Sequence, residues 1–257
     1  MNEEVFQRYS AYYDLLYRDK DYAAEAQYVG RVLRSAVPAD GRVLELGSGT
    51  GRHGRLLADQ GFQVFGVERS QFMVDQAKRA RSGQKDSTGF DCIVGDIRTV
   101  RLARRYDAAI SLFHVISYQT ANVDVLQSFA TAAHHLETGG LFLFDVWHGP
   151  AVLNERPAVR VKRVEDQRVR LVRIAEPELD SAASVVTVRY TIFAESKTNH
   201  RFETFGEEHR MRYYFPVEID LLAGQTGFKV EQSEEFLSGK PAGDRTWGVA
   251  YLLRKIQ

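Results

Sequence analysis

Cysteine is almost missing from this 257-residue chain: Cys92 stands alone, so no internal disulfide can form. That suits a reducing compartment, and a cytoplasmic location is the expectation. Net charge is missing too, because 34 Lys and Arg balance 34 Asp and Glu. No global field therefore draws the chain to nucleic acid or to an anionic membrane, and neither is expected as a partner. No stretch approaches the roughly 18 apolar residues that span a bilayer. The first residues, MNEEVFQRYS, lack a basic segment followed by an apolar run, so no signal peptide is expected. Fixed-period repeats and low-complexity tracts are absent. The histidines show no H-x-x-x-H or Cys-His spacing, and His134 and His135, adjacent on one helix, diverge, so no metal is expected.

What is present is a core and a rhythm. Hydrophobic residues make up 44% of the chain, enough for one large domain or one domain with an insertion. Short apolar strands alternate with amphipathic helices. RVLEL (42–46), FQVFGVE (62–68), FDCIVGD (90–96), YDAAISLF (106–113) and LFLFDVW (141–147) read as strands. Helices are predicted at 21–37, 52–61, 70–82 with Ser70 as N-cap, and 123–140, the last closed by two glycines. The pattern then changes to alternating β segments at 159–165, 168–175, 184–195 and 200–215, as in antiparallel strands with one wet face. A helix at 216–227 and strands at 229–237 and 247–255 restore the first rhythm. The fold class is therefore α/β: a Rossmann-like, seven-stranded, mostly parallel sheet with an antiparallel β insertion after the fifth strand. Residues 1–150 and 215–257 form one domain, and 151–214 an inserted subdomain.

The chemistry concentrates in VLELGSGTGRHG (43–54), a strand running into a glycine turn. Such a turn brings backbone N–H groups close to a ligand. A dinucleotide fingerprint would place its third glycine at position 52, which is Arg52; the later frame Gly49, Gly51, Gly54 matches but starts two residues late. An NAD-dependent oxidoreductase and a non-catalytic binding module are therefore the competing classes. The second and third strands also end near acids, Glu68 and Asp96, and an apolar Met73 follows in the next helix. A carboxylate suits a ribose diol, and an apolar face suits a purine.

Glu45, Gly47, Gly49 and Gly51, with Glu68, Met73 and Asp96, resemble the cofactor motifs of class I S-adenosylmethionine-dependent methyltransferases. The resemblance implies S-adenosyl-L-methionine as cofactor, held by those residues and by Phe113 after the fourth strand. YDLLYRDKDYAAEA (13–26), SLFHVISYQ (111–119), LFLFDVWHGP (141–150), EEHRMRYYF (207–215) and SGKPAGDRTWG (238–248) are further similar to sugar N,N-dimethyltransferases. Those enzymes methylate the amino group of TDP-linked deoxyamino sugars of the desosamine and mycaminose type. Trp147, His148, Gly149 and Pro150 stand where those enzymes tend to carry two tryptophans and a proline-rich turn, and the last hairpin loop is longer here. A nucleotide-linked amino sugar is thus the implied substrate; an O-methyltransferase or another small-molecule methyltransferase is the alternative.

In an open α/β sheet, ligands gather beyond the carboxyl ends of the strands. That edge nominates Tyr118, then His114, for orienting the amine or accepting its proton. It nominates Trp147, His148 and Arg245 for substrate, Arg245 as a fork onto phosphate. Tyr9, Tyr12, Tyr13 and Tyr17 share one helical face, and Tyr9 and Tyr17 are the choices for a lid that meets the substrate. Arg160, Lys162, Arg163, Arg168, Arg170 and Arg173 read as a solvated face of the insertion. The insertion itself is read as a wall of the pocket or a homodimer surface.

Overall fold

The computed structural model describes residues 9–82 and 89–257, with the side chains of 9–11, 81 and 82 outside the description. Five strands, β1 (Arg42–Leu46), β2 (Gln63–Glu68), β3 (Phe90–Val94), β4 (Tyr106–Ser111) and β5 (Leu136–His148), run parallel in the order β3-β2-β1-β4-β5. Beyond β5 lie β11 (Gly248–Lys255), antiparallel to it, and then β10 (Phe228–Glu235), antiparallel to β11. Six strands of the seven therefore point one way.

Strand alternation divides the core between the two faces. Leu44, Leu46, Phe142 and Phe144 pack on one side with residues of α5 (Asn122–His135) and α7 (Pro216–Gln225). Val43, Leu141 and Leu143 pack on the other, with α2 (Tyr22–Leu33), α3 (Arg52–Ala58) and α4 (Gln71–Ser82). Ser70 caps α4 as its sequence suggests, its Oγ accepting from Met73 N at 3.4 Å.

The glycine pair does not close α5. The helix ends at His135, and β5 begins at once with Leu136. His135 is buried and committed on both ring nitrogens, to Thr131 O at 2.7 Å and to Leu102 N at 2.8 Å. Leu136, fully buried, pairs with Tyr106. Gly139 then takes a φ of 89°, where the β4–β5 register shifts, so the glycines break a strand instead of ending a helix.

After β5 and the short α6 (Gly149–Glu155) come four antiparallel strands: β6 (Arg160–Glu165), β7 (Val169–Asp180), β8 (Val185–Ser196) and β9 (Phe202–Tyr214). They are not free-standing. β9 pairs with the end of β5 through Trp147–Tyr213 and His148–Tyr214. α1 (Tyr9–Leu16) also packs here, with Leu16 buried beside Leu171, Ile192 and Ala194. Two residues of the basic face are paired with acids: Lys162 meets Asp19, and Arg170 meets Glu165 and Glu195. Arg173 departs from the solvated reading. It turns inward, over the Tyr190 ring at 4.7 Å, and donates to Tyr17 Oη at 3.2 Å.

Candidate functional site

A cavity of about 900 Å³ opens where the carboxyl ends of β1, β2, β4 and β5 meet α1 and the insertion. Its floor is the turn after β1. Gly47, Ser48, Gly49 and Thr50 line it. Gly49 has a φ of 53°, and a Cβ there would meet only Met73 Sδ at 4.0 Å, so its bare face looks into open space. Gly51 does not line the cavity. Its φ is 71°, it precedes α3, and a Cβ would strike the Phe90 ring at 2.6 Å; this glycine serves packing.

Glu68 closes β2 and lines the cavity. Its carboxylate accepts from Gly49 N at 2.9 Å and from Ser70 N at 2.8 Å. Burial raises its pKa, opposed by those backbone donors. A carboxylate offers about four lone-pair sites, so acceptor capacity remains beyond these backbone donors. Met73 and Asp96 line the same end. Asp96 is fixed by Arg98, whose Nε donates to Oδ1 at 2.9 Å, and this pairing lowers its pKa. An open glycine face, an anchored acid and a methionine form a cradle suited to a nucleoside carrying an amino-acid tail.

Glu45 departs from its expected role. Alternation along β1 turns it under the floor, against α3, where it is buried and outside the cavity. A Cβ at Gly54 would lie 2.7 Å from its Oε2, which has no hydrogen-bond partner. Burial pushes its carboxyl up to about 8, with Arg55 opposing.

At the end of β4 the backbone takes two left-handed residues, Phe113 (φ 64°) and His114 (φ 61°), before a 3-10 turn, Val115–Tyr118. Asp145 of β5, buried, steadies this corner. It accepts His114 N at 3.2 Å and lies 2.7 Å from His114 Nδ1, a contact too poorly aligned to leave that nitrogen satisfied by a linear hydrogen bond. Burial opposes the charge of Asp145, but His114 holds it below the usual aspartate range. Phe113, His114 and Tyr118 all line the cavity. The Phe113 ring stands edge-on to Tyr17 at 5.1 Å, with Lys20 4.1 Å from its centre.

The far wall comes from the insertion: Tyr190 of β8 with His209 and Met211 of β9. Tyr118 Oη reaches His209 Nδ1 at 2.8 Å. Although its edge meets the cavity, the Tyr118 ring sits deep. Burial, then Tyr17, Tyr190 and Glu207, holds its phenol well above 10.0, so it stays neutral. None of the three wall residues was singled out from the sequence. The one signal was the alternation in EEHRMRYYF, which sets residues 209 and 211 on one face.

Of the other nominated residues, Tyr17 and Trp147 line the cavity, and Tyr13 joins them. The side chain of Tyr9 lies outside the described residues. Tyr12 turns away to Glu203 and Phe205. His148 does not line the cavity: alternation along β5 sends it opposite to Trp147, where burial lowers its pKa. Arg245 does not line it either. It is exposed in the loop between β10 and β11, with no ion pair among the described residues. Among the described residues no three His, Cys, Asp or Glu side chains cluster as metal ligands, and no helix is long and apolar enough to cross a membrane.

The "Methyltransferase domain" family profile matches residues 43–140, the stretch from β1 into β5. The chain is 28% identical to a dTDP-3-amino-3,4,6-trideoxy-alpha-D-glucopyranose N,N-dimethyltransferase of Streptomyces venezuelae, over 90% of this chain and 92% of that one. It is 26% identical to a dTDP-3-amino-3,6-dideoxy-alpha-D-glucopyranose N,N-dimethyltransferase of Streptomyces fradiae, over 90% and 86%. Its fold matches a sugar N-methyltransferase from Streptoalloteichus sp. with a TM-score of 0.79 at 24% identity, covering 95% of this chain and 93% of that one. It also matches an S-adenosylmethionine-dependent methyltransferase from Clostridium acetobutylicum with a TM-score of 0.80 at 20% identity, over 98% and 99%.

Proposed function

We propose that this S-adenosylmethionine-dependent methyltransferase acts on the amino nitrogen of a dTDP-linked deoxyamino sugar. The observation that carries the reading is one continuous cavity with two unlike ends. Gly49, Glu68, Met73 and Asp96 form a nucleoside-sized cradle, and Tyr17, Tyr118, Trp147, Tyr190 and His209 form an aromatic chamber beside it. The near-full-length relatives act on such sugars. Residues 1–150 and 215–257 are taken as the cofactor domain, and 151–214 as the insertion that walls the acceptor side.

The bound cofactor supplies an electrophilic methyl group on a sulfonium, so the protein's task is alignment and exclusion of water. Glu68 would hold the ribose hydroxyls, and Met73 and Asp96 the adenine. Tyr118, neutral and held by His209 in the aromatic chamber, orients the amine so that its lone pair faces the methyl group. An amine near neutral pKa needs no strong base, unlike a hydroxyl. The Asp145–His114 contact holds the left-handed corner that carries Phe113 and Tyr118 into place. Tyr13, Tyr17 and Trp147 shut out water around them.

The test is turnover with S-adenosylmethionine and three acceptors: dTDP-3-amino-3,4,6-trideoxy-α-D-glucopyranose, the free amino sugar, and the corresponding 3-hydroxy nucleotide sugar. Mass spectrometry should find methylation of the first and little of the others. Equal turnover of the free sugar would sink the nucleotide-sugar assignment. Preference for the hydroxyl acceptor would replace it with O-methylation.

A further inference from the structure

We propose that His209, held by Glu207, is a positioning residue that makes Tyr118 a hydrogen-bond acceptor toward the substrate amine and takes up the proton the methylated nitrogen releases. The inference rests on the amine reading of the cavity. Three side chains make a chain: Glu207 Oε2 lies 3.2 Å from His209 Nε2, and His209 Nδ1 lies 2.8 Å from Tyr118 Oη. His209 and Glu207 side chains are only 3% and 6% exposed. The imidazole is further clamped by Tyr190, with ring centres 4.8 Å apart. His135 has both ring nitrogens engaged within the core, whereas the His209 ring, engaged in the same way, lines the cavity.

The direction of the chain follows from donor chemistry. A carboxylate only accepts, so Nε2 carries the hydrogen. In neutral imidazole the other nitrogen is then an acceptor, and Tyr118 must donate its O–H to Nδ1. With its own hydrogen committed to Nδ1, the phenol oxygen can only accept further hydrogen bonds, and Tyr118 lines the cavity. An amine N–H can donate to that oxygen, which turns the nitrogen lone pair away from Tyr118. Methyl transfer forms the N–C bond as the C–S bond breaks, leaving an ammonium. One N–H proton passes to Tyr118 Oη, and its electron pair stays on nitrogen. The proton formerly on Tyr118 moves to His209 Nδ1. The phenol ends neutral as it began, and the imidazolium rests against the Glu207 carboxylate. The other groups facing this chain are Tyr17 from the end of α1, Tyr190 from β8, and Arg173 from β7, which lies over the Tyr190 ring. Arg173 works against a positive charge on His209, and the Glu207 carboxylate, 3.2 Å from Nε2, offsets it.

Two variants separate orientation from proton uptake. His209→Asn sets an amide oxygen near the place of Nδ1, so it keeps an acceptor for Tyr118 but has no basic nitrogen. His209→Phe removes both. With dTDP-3-amino-3,4,6-trideoxy-α-D-glucopyranose, H209F should lower kcat about 100-fold or more, because proton uptake and the fixed direction of Tyr118 are lost together. H209N should keep KM within about three-fold and lose kcat about ten-fold. Both should bind S-adenosylhomocysteine as the parent does, by calorimetry. Parental kcat in H209F, or loss of cofactor affinity in step with kcat in both variants, would overturn the proposal. A second measurement needs no substrate. In protein with ¹⁵N-labelled histidine, the signal that vanishes in H209N should report an unprotonated Nδ1 and a protonated Nε2 at neutral pH. A proton on Nδ1 of the neutral ring would overturn the proposal whatever the acceptor is. Failure of the parent to methylate the amino sugar, with the tautomer as stated, would instead remove the substrate reading and, with it, the amine half of this one.

Discussion

Glu45 carries a proton that most surface glutamates give up. Its carboxyl sits beneath the glycine turn without a partner for Oε2, and burial lifts it from an ordinary 4.5 to about 8. An acid raised in the folded state contributes stability in full below its unfolded pKa and loses it as pH rises through the folded one. The window is therefore about pH 4.5 to 8, and the slope approaches about 1.4 kcal/mol per pH unit within it. Glu45→Gln keeps the shape and has no proton to lose. In urea titrations at about pH 5.5, 7 and 8, the variant should gain steadily on the parent as pH rises. A difference that stays flat would mean the folded protein holds Glu45 ionised. Period-two alternation, counted from Val43, would have placed this residue under the turn, because strand parity decides sidedness more firmly than motif position does. Glu68 was legible for the same kind of reason: an acid ending an apolar strand at the sheet edge has nowhere to go but the rim.

At the scale of elements, the loop between β10 and β11 is tightly built and yet keeps Arg245 outside the cavity. Thr246 Oγ1 accepts from Gly243 N at 3.0 Å, and Glu235 N donates to Lys240 O at 2.8 Å. Asn154 of α6 donates to Asp244 O at 3.3 Å, and Trp247 stands edge-on to the cavity-lining Trp147 at 6.1 Å. A nucleotide leaving the chamber past Trp147 would run toward the loop that carries Arg245, since Trp247 of that loop packs on Trp147. An arginine without an acidic partner can fork onto two phosphate oxygens, a contact worth roughly 1.5–3 kcal/mol. Arg245→Ala should thus raise KM for the dTDP-amino sugar about ten-fold or more, with S-adenosylhomocysteine affinity unchanged. A parental KM would route the diphosphate away from this loop, along the insertion. Glycines and proline announced an ordered loop here, because turn chemistry is local. They could not say which way Arg245 points, since that depends on α6, some ninety residues earlier. Likewise Gly139 and Gly140 suggested a helix stop by local rules, while Leu136 was claimed by pairing with β4, a tertiary preference.

For the molecule as a whole, the strand–helix rhythm was legible because each unit buries its own apolar face, and five parallel strands with their turns follow from it. The acceptor wall was not. Tyr118 and His209 are 91 residues apart in the chain, and only the junction of β9 with the end of β5 brings them together. Leu16 is buried with strands of the insertion for the same reason. Contacts of that range leave no local pattern. The cradle, by contrast, is built within the legible part, and its specificity has a readout that involves the entire fold. A ligand that binds only the native state stabilises it by RT ln(1 + [L]/Kd), about 2.7 kcal/mol at a hundred times Kd. For a chain of this size each kcal/mol is worth about 2–4 °C in Tm. S-adenosylhomocysteine at that excess should therefore raise Tm by about 5–10 °C, whereas NAD should leave it in place. Glu68→Ala removes the acceptor proposed for the diol and the anchor for Gly49 and Ser70; losing two charge-assisted hydrogen bonds costs about 2–4 kcal/mol of binding. At the same ligand concentration its Tm should rise by about 3.5 °C or less, measured against the variant's own unliganded Tm so that any loss of intrinsic stability cancels. A shift with NAD would restore the oxidoreductase reading of the glycine turn, and a full shift in Glu68→Ala would move the ribose to another acid of the cradle.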